Sequence, residues 1–258
     1  MRFFSFGGGV QSTAALVLTA QRKIDFRTFL FANVGEDSES PDTLEYVANY
    51  SIPFAKQNGL ELITLTKKTI DGARETVLQR IMRTKRSVPI PAKLSGGVRV
   101  SRVCTVDFKI RVCYKWARQY GATKENPAIV GIGFSLDEYH RIKTDDPKLP
   151  AQRKTYPLID LGLTRQDCEN IVIDAGLPRP PKSACYFCPF HSPMAWQLLR
   201  INHPELYAKS IEIEQRLSSK GHGKIFLHSS MIPLDKIGAQ DIFEFDEMGN
   251  CESGYCMV

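Results

Sequence analysis

The sequence predicts an α/β fold, a parallel sheet with helices on both faces, and three observations predict it. An apolar run at residues 3–6 breaks into Gly7-Gly8-Gly9 and then a helix-like segment. Further strand-like runs at 26–33, 60–65 and 128–133 alternate with helical segments at 12–21, 41–58 and 107–120; such alternation is the pattern of a parallel sheet covered on both sides, with ligands at the carboxyl ends of its strands. At 258 residues and 43% hydrophobic content, the chain is long enough to bury a full core.

Along the chain, residues 82–103 interrupt the alternation with a basic run, two prolines and Ser95-Gly96-Gly97. They are expected to form an extended basic loop. From Asp160 onward the expected elements are a helix at 164–175, a Pro-rich turn at 178–181, a cysteine knuckle, and helices near 193–200 and 204–217. The division expected is a nucleotide-binding α/β core at 1–160 and a helical, cysteine-bearing subregion with a tail at 161–258. No stretch approaches 18 apolar residues and no cleavable signal precedes Ser5. A chain with no membrane contact, in the cytoplasm, is expected.

The start carries the sharpest chemistry. A strand breaking into glycines and then a helix aims bare backbone N–H groups and a positive helix end at one spot, which suits a phosphate. Ser5, Gly7, Gly8, Gly9, Gln11, Ser12 and Thr13 are therefore candidate nucleotide-binding residues, the two hydroxyls as extra donors. No Gly-Lys-Ser/Thr pair is present and the glycines are consecutive, so neither a Walker loop nor a G-x-G-x-x-G fingerprint applies.

Two later segments fall at the same sheet edge. The second strand ends in Asn33-Val34-Gly35-Glu36-Asp37-Ser38-Glu39-Ser40-Pro41, acids gathered before a helix that Ser40 caps and Pro41 begins. The fourth runs into Gly131-Ile132-Gly133 and then Asp137, Glu138, Arg141 and Lys143, where the glycines admit a nucleotide and the charged groups suit magnesium and phosphate or sulfate.

Charge is uneven. Between Lys67 and Arg118 there are 14 Lys and Arg against three acids, a local balance of +11, while the whole chain is only +6. Such a block attracts an anionic substrate, RNA or DNA included. The seven cysteines of a reduced chain point to metal or redox chemistry. Cys185-Tyr-Phe-Cys188 has the spacing of a metal knuckle or a redox dithiol, and Cys104 and Cys168 are the candidates to complete a site. Cys113, inside a helix, reads as core, and His203 as a helix lead-in; His191 is a weaker ligand candidate.

Taken together, these motifs resemble the PP-loop of the adenine-nucleotide alpha-hydrolase superfamily, which includes ATP pyrophosphatases and sulfonucleotide (PAPS/APS) reductases. The family pattern is S-G-G-x-x-S, usually with Asp before the last Ser; Gly7 replaces the first Ser here and Gln11 the Asp. The acidic stretch resembles its F-x-x-T-G-x-E-x-P-x-T block, and Cys104-Thr-Val-Asp-Phe-Lys109 its C-T/C-x-x-[YF]-K block, 81 residues before Cys185. The motifs run in the expected order over residues 2 to 217 and look like a phage-type or mobile-element branch.

The resemblance implies a Rossmann-like fold of PP-loop type that binds ATP, or PAPS/APS, with Mg2+ held by Glu36 or Asp37. It also implies nucleotide contacts from Asn33, Gly35, Glu36, Gly131 and Gly133. Gly8, Gly9 and Ser12 would hold a leaving pyrophosphate while Lys109 or Arg141 neutralises charge, and an acceptor would be adenylated for sulfur transfer from a sulfur donor. A 4Fe-4S cluster, or zinc, on Cys104, Cys168, Cys185 and Cys188 is expected, with Cys168 standing in where Thr105 replaces the reductases' adjacent second cysteine. A reductase using a tail cysteine (Cys251 or Cys256) with a thiol reductant, and a noncatalytic nucleic-acid-binding module, are the rival readings.

Overall fold

The computed structural model describes residues 1–100 and 102–237; Cys251 and Cys256 lie outside them. Strand β1 (Arg2–Phe6) is followed by α1 (Val10–Ala20), β2 (Thr28–Asn33), α2 (Pro41–Tyr46) and α3 (Ile52–Gln57). A π-helical turn at Val47–Ser51 joins α2 and α3 into the one helix expected at 41–58. Next come β3 (Glu61–Thr66), α4 (Val77–Arg83), β4 (Lys93–Leu94) and α5 (Val103–Thr105), which runs through the π-turn Val106–Ile110 into α6 (Arg111–Gln119). Strands β5 (Ala128–Ile132) and β6 (Gln152–Thr155) precede α7 (Pro157–Asp160), α8 (Arg165–Asp174), α9 (Pro193–Asn202), α10 (Pro204–Ser218) and β7 (Ile225–Phe226).

Five strands form an all-parallel sheet in the order β3-β2-β1-β5-β6, the α/β architecture that the alternation predicts. The central strand is apolar on both faces because both are covered. Phe4 and Phe6 face a cluster with Leu16 and Leu18 of α1 and Val172 of α8, whereas Phe3 meets Ala117 of α6 and Leu30 on the other side. Strand β6 escaped the sequence reading because its Gln-Arg-Lys-Thr carries no apolar run; it is an edge strand, held by backbone pairing to β5.

A second core forms where α4, α9 and α10 meet around Trp196, Phe187, Phe108 and Ile81. It corrects the expectation of an extended loop at 82–103: Val88, Ile90 and Ala92 are buried in it, and β4 pairs with β7. The chain also packs across the expected boundary at 160, since α8 belongs to the sheet core and residues 77–108 contribute to the second. Among the described residues no helix is long and apolar enough to cross a membrane.

This second core contains a titratable group. His228 is 1% exposed, and burial, with Lys93 adding to it, pushes its imidazole down to about 4. The fold therefore favours the neutral ring, and unfolding takes up a proton between the unfolded value near 6.5 and about 4. Stability should be whole above pH 6.5 and fall through this window by up to about 3 kcal/mol. Urea titrations across the window check it, because His228→Gln should flatten the slope.

Candidate functional site

At the carboxyl end of β1 the chain turns through Gly7-Gly8-Gly9 into α1. Gly8 has φ of +79° and a Cβ there would sit 2.9 Å from Thr43 Cγ2, so the turn requires glycine twice over. Gly7 and Gly9 line a pocket over the start of α1 together with Gln11, Ser12, Gly133, Glu138, Arg141, Arg165, Lys182 and Ser183. Ser183 ties the far wall to the loop by donating its hydroxyl to the Gly7 carbonyl.

The hydroxyls do not take the expected role. Ser12 and Thr13 both donate to the Gly9 carbonyl, at 2.9 and 3.0 Å, so they brace the helix start rather than point at a ligand. Thr13 is fully buried and not among the pocket's lining residues. Ser12→Ala should thus weaken ATP binding by only about 0.5–1.5 kcal/mol, roughly two- to twelvefold. Calorimetric titration checks this, and a loss above a hundredfold would mean that the hydroxyl swings onto the phosphate.

Cations line the same pocket. The Arg141 guanidinium is buried, pairs with Glu138 and stacks 4.3 Å from the Phe134 ring centre. Glu138 also accepts from Gln11 Nε2 at 3.3 Å, and Gln11 Oε1 accepts from Arg165 Nη1 at 3.4 Å. Gln11 therefore bridges Arg165 and the Glu138–Arg141 pair through its amide; an aspartate could accept from Arg165 but has no N–H to donate to Glu138 and would set a second carboxylate against it. Arg141, Arg165 and Lys182 line the pocket with one carboxylate, Glu138, while Arg165 also pairs with Glu169 outside the lining at 3.4 Å. Arg165 and Lys182 were missed as site residues because nothing local marks them. Thr164 caps α8 and so presents Arg165 at its first turn, while a proline turn brings Lys182 back to the loop.

The acidic stretch after β2 departs from expectation. Asn33 accepts from the Gly35 amide and donates to Glu36, whose carboxyl Arg74 holds below the usual range from 2.6 Å. Gly35, at φ of +127°, serves this turn. The Asp37 carboxylate accepts from Thr76 and Ser38 at 2.9 and 2.8 Å. None of Asn33, Gly35, Glu36 and Asp37 lines the glycine-loop pocket, and the carboxylates of Glu36 and Asp37, where magnesium was expected, are hydrogen-bonded within the loop and to Arg74 and Thr76.

Glu39, in the same acidic stretch, is the buried carboxylate of this loop. Its side chain is 0% exposed, neither carboxylate oxygen has a hydrogen bond, and Lys109 Nζ stands 3.8 Å away. The signal was available: Glu39-Ser40-Pro41-Asp42-Thr43 matches the E-x-P-x-T half of the block letter for letter, three residues after Glu36.

Lys109 lies between two cavities. One, at the sheet edge, is lined by Ser5, Ile132, Phe134, Gln152, Lys154 and Tyr156. It adjoins the glycine-loop pocket through Phe134. The other is lined by Cys104, Cys185, Cys188, Arg102 and Phe190. The structure thus places Ser5 and Lys109 on the cavity that adjoins the glycine-loop pocket and three predicted cysteines around one space.

Cys168 is not with them. It is fully buried against the sheet, in a cluster with Phe4, Leu16 and Leu158, where desolvation pushes its thiol up to about 12. The expected four-thiolate ligation is corrected on this ground: three thiols share the pocket, and among the described residues no group of three or more His, Cys, Asp and Glu is placed to hold a metal ion. Among the described residues, four thiolates do not come together for a cluster or zinc. His191 bonds the Cys185 carbonyl at 2.9 Å and supports the knuckle's backbone.

Gly131 is a packing residue, since a Cβ there would lie 2.5 Å from Phe4 and 2.9 Å from Phe26. Gly133 lines the glycine-loop pocket, and a Cβ there would lie 3.5 Å from the Ser12 amide nitrogen, in ordinary contact. Cys113 is buried in the core as expected, and His203 leads into α10 with its ring on Asp42. No family model matches the chain, and no curated protein matches it.

Proposed function

We propose that the protein is an enzyme that binds ATP with its phosphates in the glycine-loop pocket and adenylates an anionic acceptor, releasing pyrophosphate. The observation that carries this reading is the convergence of Gly7, Gly9 and the α1 N-terminus with Arg141, Arg165 and Lys182 on one pocket. Backbone N–H groups and guanidinium donors fixed before the reaction stabilise the charge that builds on a departing pyrophosphate. The adjoining cavity over Phe134 and Tyr156 accepts the nucleoside, and Mg2+ enters on the nucleotide's own phosphates. Lys109, at the junction with the cysteine pocket, supplies positive charge beside the α-phosphate. An adenylated oxygen is a good leaving group, and the three thiols give sulfur from an external donor a place to arrive.

Incubation with α-labelled ATP and a nucleic-acid or small-molecule acceptor tests the reading. AMP and pyrophosphate should form in step with acceptor turnover, and Arg141→Met should remove both. Sulfite release from APS or PAPS without ATP use would transfer the site to reductase chemistry, and failure to bind any adenine nucleotide would remove the proposal.

A further inference from the structure

Beside β3 and α6 runs an open groove of about 510 Å³ that the ATP reading does not use. Lys67 and Lys68 line it from the end of β3, and Arg111 and Lys115 line it from α6. At its base Asp107 gathers Arg111, Arg80 and Lys67 at 2.7, 3.3 and 3.6 Å. The acids here are Asp107 and Glu75, and Glu75 is engaged by Arg80 and Arg83. The cations Lys67, Lys68, Arg80, Arg83, Arg111 and Lys115 outnumber them. Lys67 and Arg80 are only 18% and 19% exposed, so part of this excess charge is held away from water. An anion in the groove would relieve that cost.

The shape favours a strand over a small anion. Asp107, Arg111, Lys115 and Gln119 recur every fourth residue, which sets them in a row along one helix face. In the adjoining row Trp116, which lines the groove, stacks at 4.5 Å and 29° on Tyr120, which follows Gln119 at the end of α6 and is 66% exposed. A row of cations ending in an exposed aromatic platform matches a sugar-phosphate backbone with a base stacked at its end. An acidic peptide would use the cations and leave the ring face idle.

We infer that this groove binds single-stranded nucleic acid, phosphates along Lys68, Arg111 and Lys115 and a base on Tyr120. Cys104 and Lys109 belong to the same helical run as the groove residues but line the inner pockets. A bound strand therefore lies one helix away from the proposed reaction site. Naming nucleic acid as the acceptor class rests on the adenylation reading; the binding itself does not.

Fluorescence anisotropy with labelled single-stranded RNA and DNA of about 16 nucleotides, at low salt and without ATP, tests it. Lys68→Glu/Lys115→Glu, both at exposed positions, should weaken binding at least about tenfold and lower the salt slope by about 1.4, the value for two phosphates. Lys68→Gln/Lys115→Gln should do so more mildly, which covers any misfolding of the charge-reversed form. Tyr120→Ala should cost about 5- to 150-fold with the salt slope unchanged. Lys85→Glu/Arg86→Glu, outside the groove, should change affinity by less than about threefold.

The two oligonucleotides report which sugar is preferred. The inference is overturned if neither binds, if reversal at Lys85 and Arg86 is as damaging as reversal in the groove, or if polyglutamate competes as well as unlabelled oligonucleotide. Because ATP is absent, a failure here leaves the pyrophosphate assay standing, and a failure there leaves this result standing.

Discussion

Replacing Glu138 by alanine is expected to destabilise the ligand-free chain by about 3–5 kcal/mol, because it strips the carboxylate from a buried ion pair. The Glu138 and Arg141 side chains are 8% and 4% exposed. The guanidinium would keep its contact with the Phe134 ring and lose the anion that faces it. For a chain of this size the unfolding midpoint should drop by about 6–20 °C. A triphosphate returns negative charge to the same guanidinium, so ATP should raise the variant's midpoint by more than it raises that of the unaltered protein. Equal shifts in scanning calorimetry would show that Arg141 does not face the phosphates.

The second expectation concerns Arg165→Ala/Lys182→Ala. Each of these cations is placed to make a charge-assisted hydrogen bond of about 1.5–3 kcal/mol to a phosphate oxygen, and together their loss should weaken ATP binding by about two to four orders of magnitude. Lys182 is exposed, and the buried Glu169, which Arg165 pairs with at 3.4 Å, keeps Arg179 at 2.8 Å, so the variant should still fold. Titration calorimetry gives the affinity, and near-ultraviolet circular dichroism confirms the packing. An unchanged affinity would mean that the glycine loop is only a turn.

The contrast with Ser12 shows where sequence reading stops. A hydroxyl next to a glycine loop is chemically suited to phosphate, but a hydroxyl at a helix start also lies within reach of the carbonyl three residues back. In this chain the Gly9 carbonyl takes it. Glu36 and Asp37 repeat the lesson: acids at a strand end suit a cation, yet Arg74 and Thr76 arrive from a distant turn and engage them first. Cys168 was the natural fourth ligand by spacing, but the helix phase of α8 turns it into the sheet core.

What the amino-acid sequence determined alone is whatever local physics decides. Apolar runs of strand length, helix periodicity, the Ser40-Pro41 start of α2 and the glycines after Phe6 depend on neighbours within a few residues, and they yielded four of the five strands of the parallel sheet, its helices and the loop at its edge. The tertiary structure alone decided which charges meet. Arg165 joins Gln11 across 154 positions and Ser183 reaches Gly7 across 176. Pairings of this kind leave no periodic trace in a sequence, because a side chain's partner at such separation is fixed by how the helices pack and not by its own propensity.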